Sequence, residues 1–270
     1  MYAGEPRFIP TLLLRDGQLV KTRRFEEPVY VGDAINVLSI FNDFEVDEIV
    51  LLDIDGAHRR TPAGLDELRR YAEECFIPLA YGGGLTTIDD IAAVLEVGFE
   101  KIVVNTILHD NPELVTQASD RFGAQAIVAS IDVRGGADGE VYVRGGKVAT
   151  GIDPVHWAER TVALGAGELL VTSIDREGTF EGIDLELVRR VTDAVGVPVI
   201  AHGGAAKRKT LGAPVHEANA AAVAAGSLFV FQGQDRSGVL VNYPSRRQIE
   251  RLIERDAAST TPAPMPIGTR

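Results

Sequence analysis

The sequence predicts an α/β fold, a (β/α)8 TIM barrel built from two related four-unit halves, and three observations predict it. The chain has 270 residues, a length at which an eightfold barrel forms one domain. Eight short apolar runs alternate with amphipathic stretches, the pattern of strands joined through helices and therefore paired in parallel. The third observation is an internal echo. Glu48, Asp55, Pro78, Gly83 and Gly84 return as Glu168, Asp175, Pro198, Gly203 and Gly204, each 120 positions later, and self-similarity at one offset marks a repeated architecture.

The strand candidates are 7–14, 48–55, 77–83, 101–106, 126–133, 168–175, 197–204 and 221–227, runs of strand length rich in aliphatic residues. Helical periodicity lies between them, clearest at 64–75, 87–98, 153–165 and 184–196. Thr87, Asp153 and Asp184 stand where a helix cap belongs, with glycine at the far end. Two segments stand outside the pattern. Residues 14–33, carrying Lys21, Arg23 and Arg24, are too long for a simple turn and read as a mobile flap over the site. Residues 256–270, rich in Pro, Ser, Thr and Ala, read as a disordered tail beyond a barrel spanning 1–255.

A content of 45% hydrophobic and 24% charged residues excludes a disordered chain. The formal net charge of −12 has the wrong sign for nucleic acid or an anionic membrane as partner. One cysteine, Cys75, makes no internal disulfide, and no apolar run is long enough to cross a bilayer. The N-terminus lacks a signal pattern, so a cytoplasmic protein is expected.

In barrels of this type the active site is built at the C-terminal ends of the strands. There the residues offer two anion cradles. Gly82, Gly83 and Gly84 with Asn105 and Thr106 form one, and Gly203 and Gly204 with Gly226 and Ser227 the other, since glycine admits the backbone to a phosphate. Carboxylates gather at the same ends as Asp53, Asp55, Asp132 and Asp175. Asp132 is best placed for acid or base catalysis, whereas Asp55 and Asp175 read equally well as loop caps. His202 beside Gly203 faces the site, while His58, His109, His156 and His216 are expected at the surface. No ligand spacing among them calls for a metal, and no cofactor is expected. At the opposite ends Arg7, Glu48, Lys101 and Glu168 each open a strand. From the residues alone these are ordinary salt bridges of little energetic consequence.

With these residues in place the chain resembles the cyclase subunit of imidazole glycerol phosphate synthase, the HisF barrel of histidine biosynthesis, up to about residue 255. The matching stretches are IP at 9–10, DGQLVKT at 16–22, DEIVLLD at 47–53, GGG at 82–84, NT at 105–106, SID at 130–132, GAGELLVTSIDREGT at 165–179 and GGA at 203–205. The resemblance implies a HisH-type glutaminase docked at the N-terminal face. It also implies an ammonia gate of Arg7, Glu48, Lys101 and Glu168, which gives those four charges a function the residues alone do not. It makes Lys21 the basic residue of the first loop, and the two cradles the phosphate sites of a phosphorylated small molecule. The family's cyclase uses aspartates at the ends of the first and fifth strands. The fifth carries over to Asp132, but the first-strand position holds Leu13. Leucine neither gives nor takes a proton, and losing a positioned acid or base costs about a hundredfold to ten-thousandfold in rate.

Three further departures accompany Leu13. Glu177 replaces the family's usual aspartate, His202 stands where a small residue is common, and 206–219 fit the seventh helix poorly. The retained gate, Leu13, VLLDIDG at 50–56 and AAVAAGSLFVFQG at 221–233 followed by VLVNYP at 239–244 resemble a HisF-like branch encoded with surface-sugar biosynthesis. That resemblance implies ammonia supply to a separate nucleotide-sugar amidotransferase. The alternative is the histidine cyclase itself, converting PRFAR plus ammonia to imidazole glycerol phosphate and AICAR. A sister sugar-phosphate isomerase fits less well, because it also relies on a first-strand aspartate and needs no ammonia gate.

Overall fold

The structure is a computed structural model that describes residues 5–59, 61–233 and 238–259. Eight parallel strands close on themselves: β1 Arg7–Arg15, β2 Ile49–Asp53, β3 Leu79–Gly82, β4 Lys101–Val104, β5 Ile127–Arg134, β6 Glu168–Ser173, β7 Val199–His202 and β8 Ala222–Ala225. β1 pairs with both β2 and β8, and β5 with β6, so the ring has no free edge. Six fall within the expected runs, and β1 and β5 overrun theirs by one residue, at Arg15 and Arg134.

The main outer helices are α1 Ala34–Asp43, α2 Leu65–Glu74, α3 Ile88–Glu96, α4 Pro112–Phe122, α5 Pro154–Ala163, α6 Leu185–Ala194, α7 Ala213–Ala218 and α8 Arg246–Ser259. The three expected caps form. Thr87 and Asp90 close a reciprocal capping box on α3, Asp153 accepts from Val155 N at 2.8 Å, and Asp184 accepts from Leu187 N at 3.2 Å. The poorly matching 206–219 stretch is a 3-10 turn, Arg208–Thr210, followed by the short α7. α8 continues through Ser259, past the expected boundary at 255, and the rest of the expected tail, 260–270, lies outside the described residues. Among the described residues no helix is long and apolar enough to cross a membrane.

Alternation along the strands sorts side chains into two cores. Phe8, Leu12, Leu14, Leu51, Tyr81 and Ile131 face outward under the helices, with Trp157 of α5 among their buried neighbours. Ile9, Val50, Ala80, Val103, Val128, Leu170, Ile200, Ala222 and Ala224 face inward and line the lumen.

The segment expected to be a flap over the site is built as a β-ribbon. Gln18–Arg23 pairs antiparallel with β1 and with Glu26–Asp33. Leu19, Lys21 and Thr22 are buried by this docking. The turn, with Arg24 and Phe25 both at positive φ, is tied down where Arg24 N donates to Glu177 O at 2.9 Å and Arg24 Nε to Asp175 O at 2.8 Å. A second ribbon, Glu140–Val143 with Val148–Ala149, follows β5. β1 and β5 lie across the ring from each other, and a Cβ on Gly146 would come within 2.9 Å of the Phe25 ring. The two ribbon tips therefore meet above the mouth.

Gly178 is the close-approach point for the first ribbon. Its φ is +71°, and a Cβ there would stand 2.5 Å from Thr22 O. Gly178→Ala is expected to push the ribbon off β6, seen as faster amide hydrogen exchange across residues 18–24 with the barrel strands unchanged. Unchanged protection in the ribbon would contradict this docking.

Candidate functional site

The N-terminal mouth is closed by charge. Arg7 at the start of β1 reaches both Glu48 and Glu168, and Lys101 at the start of β4 reaches the same two carboxylates at 2.9 and 2.8 Å. Each cation bridges both anions, giving a cyclic, neutral quartet. Glu48 and Glu168 are buried, and each cation keeps about a fifth of its side chain in solvent, 22% for Arg7 and 20% for Lys101. The four residues singled out in the sequence are thus one device, held by four strand starts.

Above the quartet the lumen is lined by the aliphatic layer of Ile9, Val50, Ala80, Val103, Val128, Leu170, Ile200 and Ala222. Thr11 is the next inward residue on β1, and its buried hydroxyl has no hydrogen-bond partner among the described residues.

At the C-terminal mouth the inward positions of β1 and β5 differ in character. On β5, Asp132 accepts from Ser130 Oγ at 3.1 Å and Asn105 Nδ2 at 3.3 Å. Burial pushes its pKa up to about 7, against the opposing effect of hydrogen bonds from Ser130 and Thr172. Across the ring on β1, the inward position holds Leu13, which pairs in register with Leu52. The other carboxylates singled out at the strand ends have partners of their own. Asp53 is turned to Arg59, the Tyr81 hydroxyl and the amides of Asp55 and Gly56, so Asp53 is the loop cap. Asp55 instead pairs with Arg15, and Asp175 accepts from Gly135 N at 2.7 Å.

The second glycine cradle is a formed pocket lined by Glu177, Gly178, Phe180, His202, Gly203, Gly204, Gly226 and Ser227. Gly203 and Gly204 have φ of +92° and +94°, and Cβ atoms there would strike Ser173 O and Gly182 O. Lys21, buried, lies so close to Gly226 that a Cβ would overlap its Cε and Nζ. Its ammonium bonds Glu177 at 2.8 Å, and Thr22 Oγ1 donates to the other Glu177 oxygen at 3.1 Å. Burial alone would raise the Glu177 carboxyl, but Lys21 overrides it and holds the group below the ordinary glutamate value. His202 is buried, and desolvation with the nearby Lys21 charge pulls its pKa down to about 4, so the imidazole is neutral.

The first cradle is more fully engaged by the protein itself. Gly83 and Gly84 pack against Asp53 O and Thr61 O. The Asn105 amide is spent on Ser130 O, Asp132 and Tyr142 O, and the Thr106 hydroxyl accepts from Arg144 N at 3.1 Å. Asn105 thus belongs to the surroundings of Asp132. Sequence reasoning did not find this role, nor the Thr172 hydroxyl that lies 3.1 Å from His202 Nδ1, because neither leaves a motif.

Of the other singled-out residues, Cys75 is buried, and His216 is half buried, rather than at the surface, with an enclosed Nε2. His109 and His156 are exposed, and the His58 side chain lies outside the described ones. Among the described residues no three His, Cys, Asp or Glu side chains gather as a metal site.

Residues 7–235 match the family described as histidine biosynthesis protein. The chain is 43% identical over 225 residues to imidazole glycerol phosphate synthase subunit HisF of Alkaliphilus metalliredigens, covering 83% of this chain and 89% of that one. It is 42% identical over 246 residues to a Pseudomonas aeruginosa protein provisionally named imidazole glycerol phosphate synthase subunit hisF2, covering 90% and 98%. A Leptospira interrogans protein, provisionally named as a HisF subunit, is 37% identical over 252 residues, covering 92% and 99%.

Asp132 and His202 drive stability in opposite directions with pH. Between the unfolded aspartate value of 3.8 and about 7, native Asp132 holds a proton the unfolded chain has lost, so stability falls as pH rises. Between about 4 and 6.5, native His202 lacks a proton the unfolded chain binds, so stability is lost as pH falls. Urea unfolding of Asp132→Asn is expected to show stability climbing from pH 4 to 6.5. His202→Asn is expected to show it declining from pH 4 to 7. Each trend should amount to a few kcal/mol, because a tenfold difference in proton affinity between the folded and unfolded chain is worth about 1.4 kcal/mol. A flat profile in either variant would contradict the assigned protonation states.

Proposed function

The chain belongs to the histidine biosynthesis protein family, among the HisF subunits, and on that premise we propose that it is the ammonia-receiving barrel of a glutamine amidotransferase. In this reading a HisH-type glutaminase docks at the quartet, and ammonia enters where Lys101 or Arg7 swings aside. It crosses the aliphatic lumen uncharged, because a dry lumen of Val, Ile, Leu and Ala admits a small neutral molecule and rejects an ion. The acceptor is a separate nucleotide-sugar amidotransferase of surface-sugar biosynthesis. A phosphorylated small molecule occupies the glycine cradles, with Lys21, Gly203, Gly204, Gly226 and Ser227 at one end and Gly83, Gly84, Asn105 and Thr106 at the other.

One observation carries the reading. The floor keeps its complete quartet while the roof holds Leu13 where a proton-handling group would face Asp132. An inlet without the paired acid and base fits a barrel that receives ammonia for use elsewhere.

The N-terminal face supports a protein partner. Phe76 is 89% exposed, and its N–H is bonded at 2.8 Å to Asn42 near the end of α1, between the exposed Ile40 and Phe44, the residue that follows the helix. These exposed apolar side chains lie just ahead of β3, at the N-terminal end of the strands, and exposed apolar surface marks a place for a partner.

The alternative, the histidine cyclase, is favoured by Asp132 itself, whose raised pKa suits acid–base work near neutral pH. Purified barrel with a HisH-type glutaminase decides between them. We expect a complex at micromolar concentration, weakened about tenfold or more by Phe76→Asp. We also expect no cyclisation of PRFAR at family rates. Arg7→Ala and Lys101→Ala are expected to keep the complex yet let ammonia leak to bulk solvent. Absence of a complex would overturn the reading, and rapid PRFAR turnover would replace it with the cyclase.

A further inference from the structure

The inward positions of β5, β6 and β7 bring three hydrogen-bonding side chains to one level. Thr172 is in register with Asp132 on one side and with His202 on the other. Its hydroxyl lies 3.1 Å from His202 Nδ1 and, across the β5–β6 pairing, stands beside the Asp132 carboxyl, whose pKa it helps to hold down. A hydroxyl has one hydrogen to give. With that hydrogen on Asp132, the Thr172 oxygen accepts from His202, which puts the imidazole proton on Nδ1 and leaves Nε2 as a lone pair on the opposite edge. His202 also lines the glycine pocket, whereas Asp132 does not. The charged neighbours of His202 are Lys21 and Glu177, already paired with each other at 2.8 Å.

We propose that Asp132, Thr172 and His202 form a single proton-sharing chain, and that His202 is the group through which the roof exchanges protons with a ligand in the glycine pocket. The step balances without a further reactant. A ligand N–H or O–H gives its proton to Nε2, the Nδ1 proton passes to the Thr172 oxygen, and the Thr172 hydrogen passes to the Asp132 carboxylate. The ligand loses one proton, Asp132 gains one, and the reverse shuttle restores the start. Proton-handling capacity thus lies along β5 to β7 and serves the ligand held in the glycine pocket. This rests on the proposed phosphate-binding role of the pocket only for the identity of the ligand.

Nitrogen-15 NMR of the histidine side chains in the full chain tests it. The expected result is a neutral His202 protonated on Nδ1, with a second inflection near pH 7 that reports Asp132 and disappears in Asp132→Asn. Thr172→Val is expected to break the chain and move the proton to Nε2, while Thr172→Ser keeps it on Nδ1. Titration with inorganic phosphate is then expected to raise the His202 pKa by roughly one unit or more in a saturable way, as an adjacent opposite charge does. A proton on Nε2 in the unaltered protein, or shifts indifferent to Asp132→Asn, would overturn the chain. An intact chain whose His202 ignores phosphate would overturn the pocket contact and the anion-binding reading, leaving the proton sharing in place.

Discussion

The arrangement of the barrel depends on four charges sharing one small space. Arg7, Glu48, Lys101 and Glu168 come from four different strands, and each cation touches both anions. Removing one member would strand a carboxylate or cation at the edge of an apolar lumen, and such unpaired buried charges are strongly unfavourable. The quartet therefore fixes the register of β1, β2, β4 and β6 at the floor. The same alternation that turns these side chains inward also turns Ile9, Val50, Val103 and Leu170 inward one step up, and Thr11, Leu52, Asn105 and Thr172 above them.

This periodicity is why so much of the fold is legible in the sequence. A barrel strand is buried on both faces and reads as a short aliphatic run, and the helices between carry caps such as Thr87, Asp153 and Asp184. The 120-residue echo locates the matched glycine pairs. The ribbon pairing of 14–33 is not legible, because the burial of Lys21 and Thr22 depends on a partner distant in sequence, Glu177, which receives both. The second ribbon has the same character, with its turn seated against Phe25. Charges that meet across the fold leave no local pattern.

The roof shows the same lesson at the level of single side chains. Asp132 stands out as a carboxylate at a strand end, and its environment keeps a proton on it to about pH 7. Asn105 and Thr106 stand out as phosphate ligands, yet Asn105 spends its amide on Ser130, Asp132 and Tyr142, and Thr106 receives the Arg144 amide. His202 is legible only once Thr172 is seen between it and Asp132. The pocket as folded has little net charge, since Lys21 is matched by Glu177 and His202 is neutral. Its attraction for an anion rests on the glycine backbone and on how far Lys21 is released from its partner.

The most direct measurement of the central claim is isotopic. Glutamine labelled with nitrogen-15 in its side-chain amide, supplied with unlabelled ammonium in excess to the barrel, its glutaminase and the acceptor enzyme, reports whether nitrogen travels through the protein or through solvent. The account predicts product enriched in nitrogen-15 well above the bulk ammonium ratio, with the enrichment lost in Lys101→Ala. Product labelled at the bulk ratio with the unaltered barrel would contradict it.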